Sequence, residues 1–208
     1  MDYSLALASL RAADPLLANV INQVGDCRLA QDRSQGDLLA TLAESILYQQ
    51  LSGKAAAAIH RRFLQLYPEP PSALELLNTP DELLRTAGIS RPKIAYLKDL
   101  ATKLPEFPSL EALADWDDEA IITTLTQVKG IGCWTVQMLL IFRLHRWDVL
   151  PTEDLGIRSA MRRLYDLPDL PAKKAMLELA APWQPYRTVA SWYLWRSLDL
   201  ELDLAAHK

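Results

Sequence analysis

Two cysteines, Cys27 and Cys133, are all the thiol chemistry that the 208 residues hold. So few cannot build a disulfide framework, a four-cysteine metal site or the usual iron–sulfur spacing, and both read as reduced, buried residues of an intracellular protein. Glycine is scarce as well, with 7 residues, and no sustained alternation of polar and apolar positions occurs. With leucine and alanine abundant, that absence argues against a sheet protein and for an all-α chain. Long apolar runs are missing: the longest, Val136 to Leu144, is broken by Gln137 and Arg143 and is far too short to span a bilayer. The N-terminus has no basic patch leading into an apolar core and a small-residue cleavage site, so a cytoplasmic protein is expected.

Excess positive charge is also lacking. The formal net charge is −4, which argues against a protein that coats nucleic acid through lysine and arginine alone. A local basic face remains open, because Lys129, Arg143, Arg146, Arg158, Arg162 and Arg163 gather in the second half; the same residues also read as solvated helix faces. His60, His145 and His207 share no metal-ligand spacing, and no Ser/His/Asp order or phosphate loop occurs.

What the chain does have is a succession of helical patterns. Half of its residues are apolar, enough for one generous domain or two small lobes. Helices are predicted over 4–12 and 14–24, with Asp14 as cap and Pro15 at the first position. Leu38, Leu39, Leu42, Ile46 and Leu47 then recur at helical spacing up to Tyr48, and Gly53 breaks the pattern. Further helices are predicted over 54–67, 72–77, from a Thr79 cap to Ala87, from a Ser90 cap to Lys103, and over 110–114 and 117–126. The segment 133–145 is apolar nearly all round, a helix is predicted from Asp154, and an aromatic-rich helix over 185–199 closes the series.

One stretch organises the rest: Leu125 to Asp154, LTQVKGIGCWTVQMLLIFRLHRWDVLPTED. Gly130-Ile131-Gly132 can turn the chain tightly between two helices. The helix that follows begins with unpaired backbone N–H groups, a ready site for an anion such as a phosphate. Taken alone, the motif also fits a plain corner between two helices with no ligand. Pro151 and Asp154 follow, and Asp154 reads either as a delivered carboxylate or as an N-cap.

Gly130-Ile131-Gly132-Cys133-Trp134-Thr135 with Pro151 and Asp154 resembles the helix-hairpin-helix signature, with its Gly/Pro…Asp element, of a DNA glycosylase superfamily. Ile46–Ser52 (ILYQQLS), Gly88–Leu97 (GISRPKIAYL), Asp148–Gly156 (DVLPTEDLG) and Trp183–Arg187 (WQPYR) make the chain similar to the 3-methyladenine DNA glycosylase II branch, in the compact form without an N-terminal β-domain. The resemblance implies an all-α, two-lobed fold with a cleft between lobes, lobe A over 35–125, lobe B over 1–34 plus 126–208, and the hairpin over about 118–144. It implies a monomer that acts on double-stranded DNA with alkylated bases, away from membranes and at the nucleoid. It further implies base flipping and hydrolysis of the N-glycosidic bond, leaving an abasic site.

Residue by residue, the resemblance makes Asp154 the catalytic carboxylate, which stabilises an oxocarbenium-like sugar and positions water. Glycosylases with β-lyase activity carry a lysine where this chain has Trp134, and an indole cannot form an imine, so a monofunctional hydrolase is expected. Trp134 and Trp195 would line the base pocket, the former attracting a cationic purine; Tyr48 and Gln137 are further pocket candidates. Trp192, Tyr193 and Trp195 also read as core by their spacing. Leu51, on a glycine-ended helix tip, reads as a wedge for the hole left by an extruded nucleotide, or as a buried leucine. Gly130, Gly132, Trp134 and Lys129 would hold the DNA backbone. No cofactor is required, though Na+ or K+ on the carbonyls of Thr126, Val128 and Ile131 is implied by similar hairpins. Two alternatives remain open at this point: specificity for oxidised or deaminated bases on the same fold, and a non-catalytic helix-hairpin-helix DNA-binding protein.

Overall fold

The first two helices meet at a single buried carboxylate. In the computed structural model, which describes residues 3–31 and 36–200, α1 (Ser4–Ala13) ends at Asp14, and α2 (Pro15–Val24) begins there. Asp14 Oδ1 accepts the amides of Leu16 and Leu17 at 3.0 Å each, satisfying donors that have no partner within the helix. Its Oδ2 accepts Trp183 Nε1 at 2.9 Å and the Tyr165 hydroxyl. Burial, and then the bond to Asp14, push the Tyr165 phenol far above its ordinary range, so it stays a donor. The carboxylate is 8% exposed, and each of its oxygens has partners. Removing it as Asp14→Ala loses a cap and strands two buried donors, which together cost about 3–5 kcal/mol. Urea melts should register that loss; a change under about 1 kcal/mol would show that the network is not held as described.

Among the described residues ten more helices follow: α3 (Leu38–Tyr48), α4 (Gly53–Leu64), α5 (Ala73–Asn78), α6 (Asp81–Thr86), α7 (Arg91–Lys103), α8 (Asp118–Leu125), α9 (Cys133–Phe142), α10 (Leu155–Leu164), α11 (Lys173–Leu179) and α12 (Arg187–Ser197). Short 3-10 turns occupy Leu29–Gln31, Leu104–Glu106, Ala112–Asp115 and Ala181–Trp183. Among the described residues there is no strand, as the sparse glycine and the missing alternation predict. No described helix is long and apolar enough to cross a membrane.

Backbone contacts divide the chain into two units, Met1–Arg33 with Leu140–Lys208, and Ser34–Leu139. In the first, α12 is the centre: Thr188 through Leu194 are all buried, with α1, α2 and α10 against it. Trp192 and Tyr193 belong to that core, and Tyr193 donates to the Gly25 carbonyl at 2.7 Å. In the second unit α7 is the centre, burying Ile94, Leu97, Leu100 and Ala101 with α3, α5 and α6 packed on it. The sequence assigns 126–139 to the lobe of the termini, whereas the contacts group them with Ser34–Leu139. The turn is tied to α7, through Lys129 N to Asp99 Oδ2 (2.8 Å) and Lys103 Nζ to the Gln127 carbonyl (2.5 Å).

Other boundaries shift for local reasons. The helix predicted over 133–145 stops at Phe142, because His145 takes φ 52° and the Arg146 amide turns back to the Leu140 carbonyl at 2.9 Å. Thr79 does not cap α6: its hydroxyl donates back to the Glu75 carbonyl at 2.7 Å and closes α5, and Pro80 stands at the N-cap. The aromatic helix predicted over 185–199 narrows to Arg187–Ser197, because the Tyr186 amide turns back to the Trp183 carbonyl at 2.7 Å. Cys27 and Cys133 are half-buried rather than buried.

Candidate functional site

Asp154 sits at the N-cap of α10, at the end of a loop that α12 holds in two places. At the start of α12, Arg187 grips Asp148 through Nε to Oδ1 (2.6 Å) and a second guanidinium nitrogen to Oδ2 (2.9 Å). Such a two-pronged pair fixes direction as well as distance. The Thr188 amide donates to the Trp147 carbonyl at 3.0 Å, and the Val149 amide donates to the Thr188 hydroxyl at 2.9 Å. The loop then tightens, with the Asp154 amide on the Pro151 carbonyl at 3.1 Å. Two turns along α12, Trp195 Nε1 donates to Asp154 Oδ1 at 3.0 Å. The same oxygen accepts the Ile157 amide at 2.8 Å.

The carboxylate is therefore both cap and held group, and the N-terminal end of α10 favours a negative charge there. Phe142 stacks on Trp195 at 5.9 Å and 25°, which steadies the indole. Gly156 completes the arrangement. A Cβ at that position would meet Asp154 Oδ1 at 3.0 Å and Trp195 Cδ1 at 3.2 Å, so only glycine lets the indole come this close without a shift. Asp154 is half-buried, and its neighbour Glu153 is exposed.

The hairpin lies in the other unit, and a polar stripe on α7 positions it. Tyr96 lies under the turn: a Cβ on Gly130, which adopts φ 82°, would stand 2.3 Å from the Tyr96 ring. Asp99, one turn later, accepts the Lys129 amide, and Lys103 holds the Gln127 carbonyl. Burial pushes the Asp99 carboxyl up, but the hydrogen bonds from Lys103 and from the Lys129 amide outweigh it, and the group titrates below its ordinary value. The turn closes with the Ile131 amide on the Val128 carbonyl at 3.0 Å, and α9 starts with the Val136 amide on the Gly132 carbonyl at 3.2 Å. Gly130, Gly132 and the Lys129 side chain are exposed at this corner.

Trp134, in the first turn of α9, is 41% exposed, so ordinary packing does not account for it. Gln137 follows one turn later on the same helix face and is half-buried. Leu51, at the tip between α3 and α4, is 40% exposed, which removes the buried-leucine reading. Gln50 beside it takes φ 56°, a left-handed conformation in the turn between α3 and α4. Tyr48 is half-buried and packs edge-on against His60 at 6.0 Å. The candidate cation carbonyls, Thr126, Val128 and Ile131, lie at the C-terminal end of α8 and in the turn that follows. Among the described residues no cluster of three His, Cys, Asp or Glu is suited to a metal.

Sequence reasoning missed Gly156, Asp99 and Tyr96 as parts of these sites, and read Trp195 as pocket lining without its bond to Asp154. Gly156, two residues after Asp154, was a usable signal, since α10 holds no other glycine; the others depend on contacts between distant segments.

The model of the HhH-GPD superfamily base excision DNA repair proteins matches residues 43–185. DNA-3-methyladenine glycosylase 1 of Schizosaccharomyces pombe is 37% identical over 198 residues, covering 92% of this chain and 86% of that protein. The solved structure of the 3-methyladenine DNA glycosylase Mag1 of that organism, in complex with abasic DNA, superposes with a TM-score of 0.86 at 36% identity, covering 95% of this chain and 98% of the other. A DNA-3-methyladenine glycosidase from Bacillus halodurans superposes with a TM-score of 0.72 at 33% identity, covering 88% and 89%.

Proposed function

The chain belongs to the HhH-GPD superfamily of base excision DNA repair proteins, and on that premise we propose that it is a monofunctional DNA glycosylase that removes alkylated bases. The observation that carries the reading is a half-buried carboxylate, Asp154, whose Oδ1 is fixed by the Ile157 amide and by Trp195. Relatives named as 3-methyladenine glycosylases support the substrate class.

An alkylated purine such as 3-methyladenine carries positive charge and leaves readily once the sugar can bear the charge left behind. The base is first turned out of the stack, at a cost of a few kcal/mol that is least for damaged bases. Asp154 then stands against the developing oxocarbenium and orients the water that adds to C1′. Charge stabilisation by a group already in place needs no reorganisation at the moment of bond cleavage, and the loop held by Arg187 and Trp195 supplies that rigidity. Trp134 offers an indole face to the cationic base, with Gln137 one turn on and Trp195 and Tyr48 as further pocket residues. It has no amine, so no imine forms and the strand stays whole.

The DNA backbone is taken by the amides of Gly130, Gly132 and Trp134 at the start of α9, with Lys129 adding charge. Leu51 enters the stack as wedge. The carbonyls of Thr126, Val128 and Ile131 suit a monovalent cation: neutral oxygens with two lone pairs each, at a helix end that carries partial negative charge. Such an ion would supply positive charge beside the phosphate. A cytoplasmic location with the nucleoid belongs to the same reading.

The experiment is a lesion panel: 3-methyladenine, 7-methylguanine, 1-methyladenine, ethenoadenine and hypoxanthine, each in duplex, with the wild type and Trp134→Ala. Release of the cationic methylated bases, with Trp134→Ala losing about tenfold on them and less on neutral hypoxanthine, is expected. Release of hypoxanthine alone would transfer the reading to deaminated bases, and no release of any base would leave a DNA-binding module.

A further inference from the structure

Resting on that function, one residue outside the assigned site stands out for what it joins. Gln49 lies between the end of α3 and the tip that carries Leu51, and it is held at three points. Its amide donates to the Ile46 carbonyl at 3.4 Å, and its carbonyl accepts Lys93 Nζ at 2.8 Å. Its side-chain Nε2 donates to the Gly130 carbonyl at 2.7 Å, across 81 positions of sequence. Lys93 Nζ also takes the Leu47 carbonyl at 2.7 Å, closing the C-terminal end of α3 with a cation. Burial holds its pKa below the ordinary lysine value, and the carbonyls supply the hydrogen bonds that water would otherwise give.

Lys93, Tyr96, Asp99 and Lys103 lie along one side of α7 at spacings of a helical turn. The first holds the Leu51 tip, and the other three hold the hairpin. We propose that Gln49, braced by Lys93, is a positioning residue that fixes the register between the Leu51 wedge and the phosphate grip of the hairpin. A wedge works only if it enters the stack at a set distance from the gripped phosphate. A tip that also spends an outlying conformation at Gln50 (φ 56°) would sample other positions without a tie. The Gln49–Gly130 bond is that tie. It costs nothing at the DNA surface, because it uses the Gly130 carbonyl and leaves the turn's amides to the DNA backbone.

The test is a double-mutant cycle of Gln49→Met and Leu51→Ala. Single-turnover excision is followed from an oligonucleotide treated with dimethyl sulfate, presented as single strand or annealed afterwards as duplex. Methionine keeps the length of glutamine and deletes the donor. Gln49→Met is expected to slow duplex excision about fivefold, the factor set by one hydrogen bond of ordinary net strength, and to leave single-strand excision unchanged. In the Leu51→Ala background the Gln49→Met effect should disappear, because the residue acts through the wedge. Losses that multiply in the double variant, or an equal loss on single strands, would overturn the inference while leaving the wedge intact. Should Leu51→Ala itself show no duplex-specific loss, the wedge reading falls, and this inference with it. Lys93→Met should give the same duplex-specific pattern, and a loss on both substrates there would point to a merely structural lysine.

Discussion

Asp154→Asn is expected to cut excision of an alkylated base on the order of a thousandfold, about 4 kcal/mol of barrier. The substitution is unusually clean. Asparagine is as good an N-cap as aspartate, and its carbonyl oxygen can keep accepting the Ile157 amide and Trp195 Nε1. Helix α10, the loop from Asp148 and the indole of Trp195 should therefore stay in place, and only the charge disappears. Duplex affinity should stay within about twofold, since the proposed grip on the DNA backbone is the hairpin's and not Asp154's. Single-turnover rates and anisotropy titrations on one methylated duplex separate the two quantities. A variant that excises within about tenfold of wild type would confine Asp154 to capping.

Gly130→Ala should strike binding instead. An L-residue at φ 82° costs about 1–2 kcal/mol, and the new Cβ would fall 2.3 Å from a ring carbon of Tyr96. Cγ of the same ring would lie 2.7 Å away, so turning the ring about its own axis does not clear the clash. The turn must shift, and with it the amides proposed to face the phosphate. A loss of about thirtyfold in duplex affinity, roughly 2 kcal/mol, is expected, with a much smaller loss in rate once DNA saturates the enzyme. Adding Tyr96→Ala should return part of it, because the clash goes and the backbone strain stays. Affinity equal to wild type would show that the corner carries no DNA contact. The same titration in tetramethylammonium in place of potassium, at one ionic strength, tests the cation: weaker binding is expected, and equal binding would remove it.

Local chemistry carried most of the fold into view from the sequence. Asp14 before Pro15 marks the start of α2 and could be read directly, whereas Gly53, expected to break the pattern, is the first residue of α4, and α3 already ends at Tyr48. Thr79 misled because its hydroxyl has two local options, forward to a cap or back to the Glu75 carbonyl, and it takes the second, which leaves Pro80 at the N-cap of α6. Arg146 closing back on Leu140 shortened α9 by a hydrogen bond that no periodicity signals. The candidate residues Asp154 and Gly130 could be picked out from their recognisable order, yet not the contacts that position them. Trp195 meets Asp154 across 41 positions and Gln49 meets Gly130 across 81; spacing reports which face a side chain takes, not which distant oxygen it will find.

The most direct measurement is the identity of the products from one duplex carrying a single 3-methyladenine, read by mass spectrometry with borohydride present. The account predicts free 3-methyladenine, an abasic strand of unbroken length and no covalent protein–DNA adduct. An untouched lesion, a strand cut at the lesion, or a trapped adduct would contradict it.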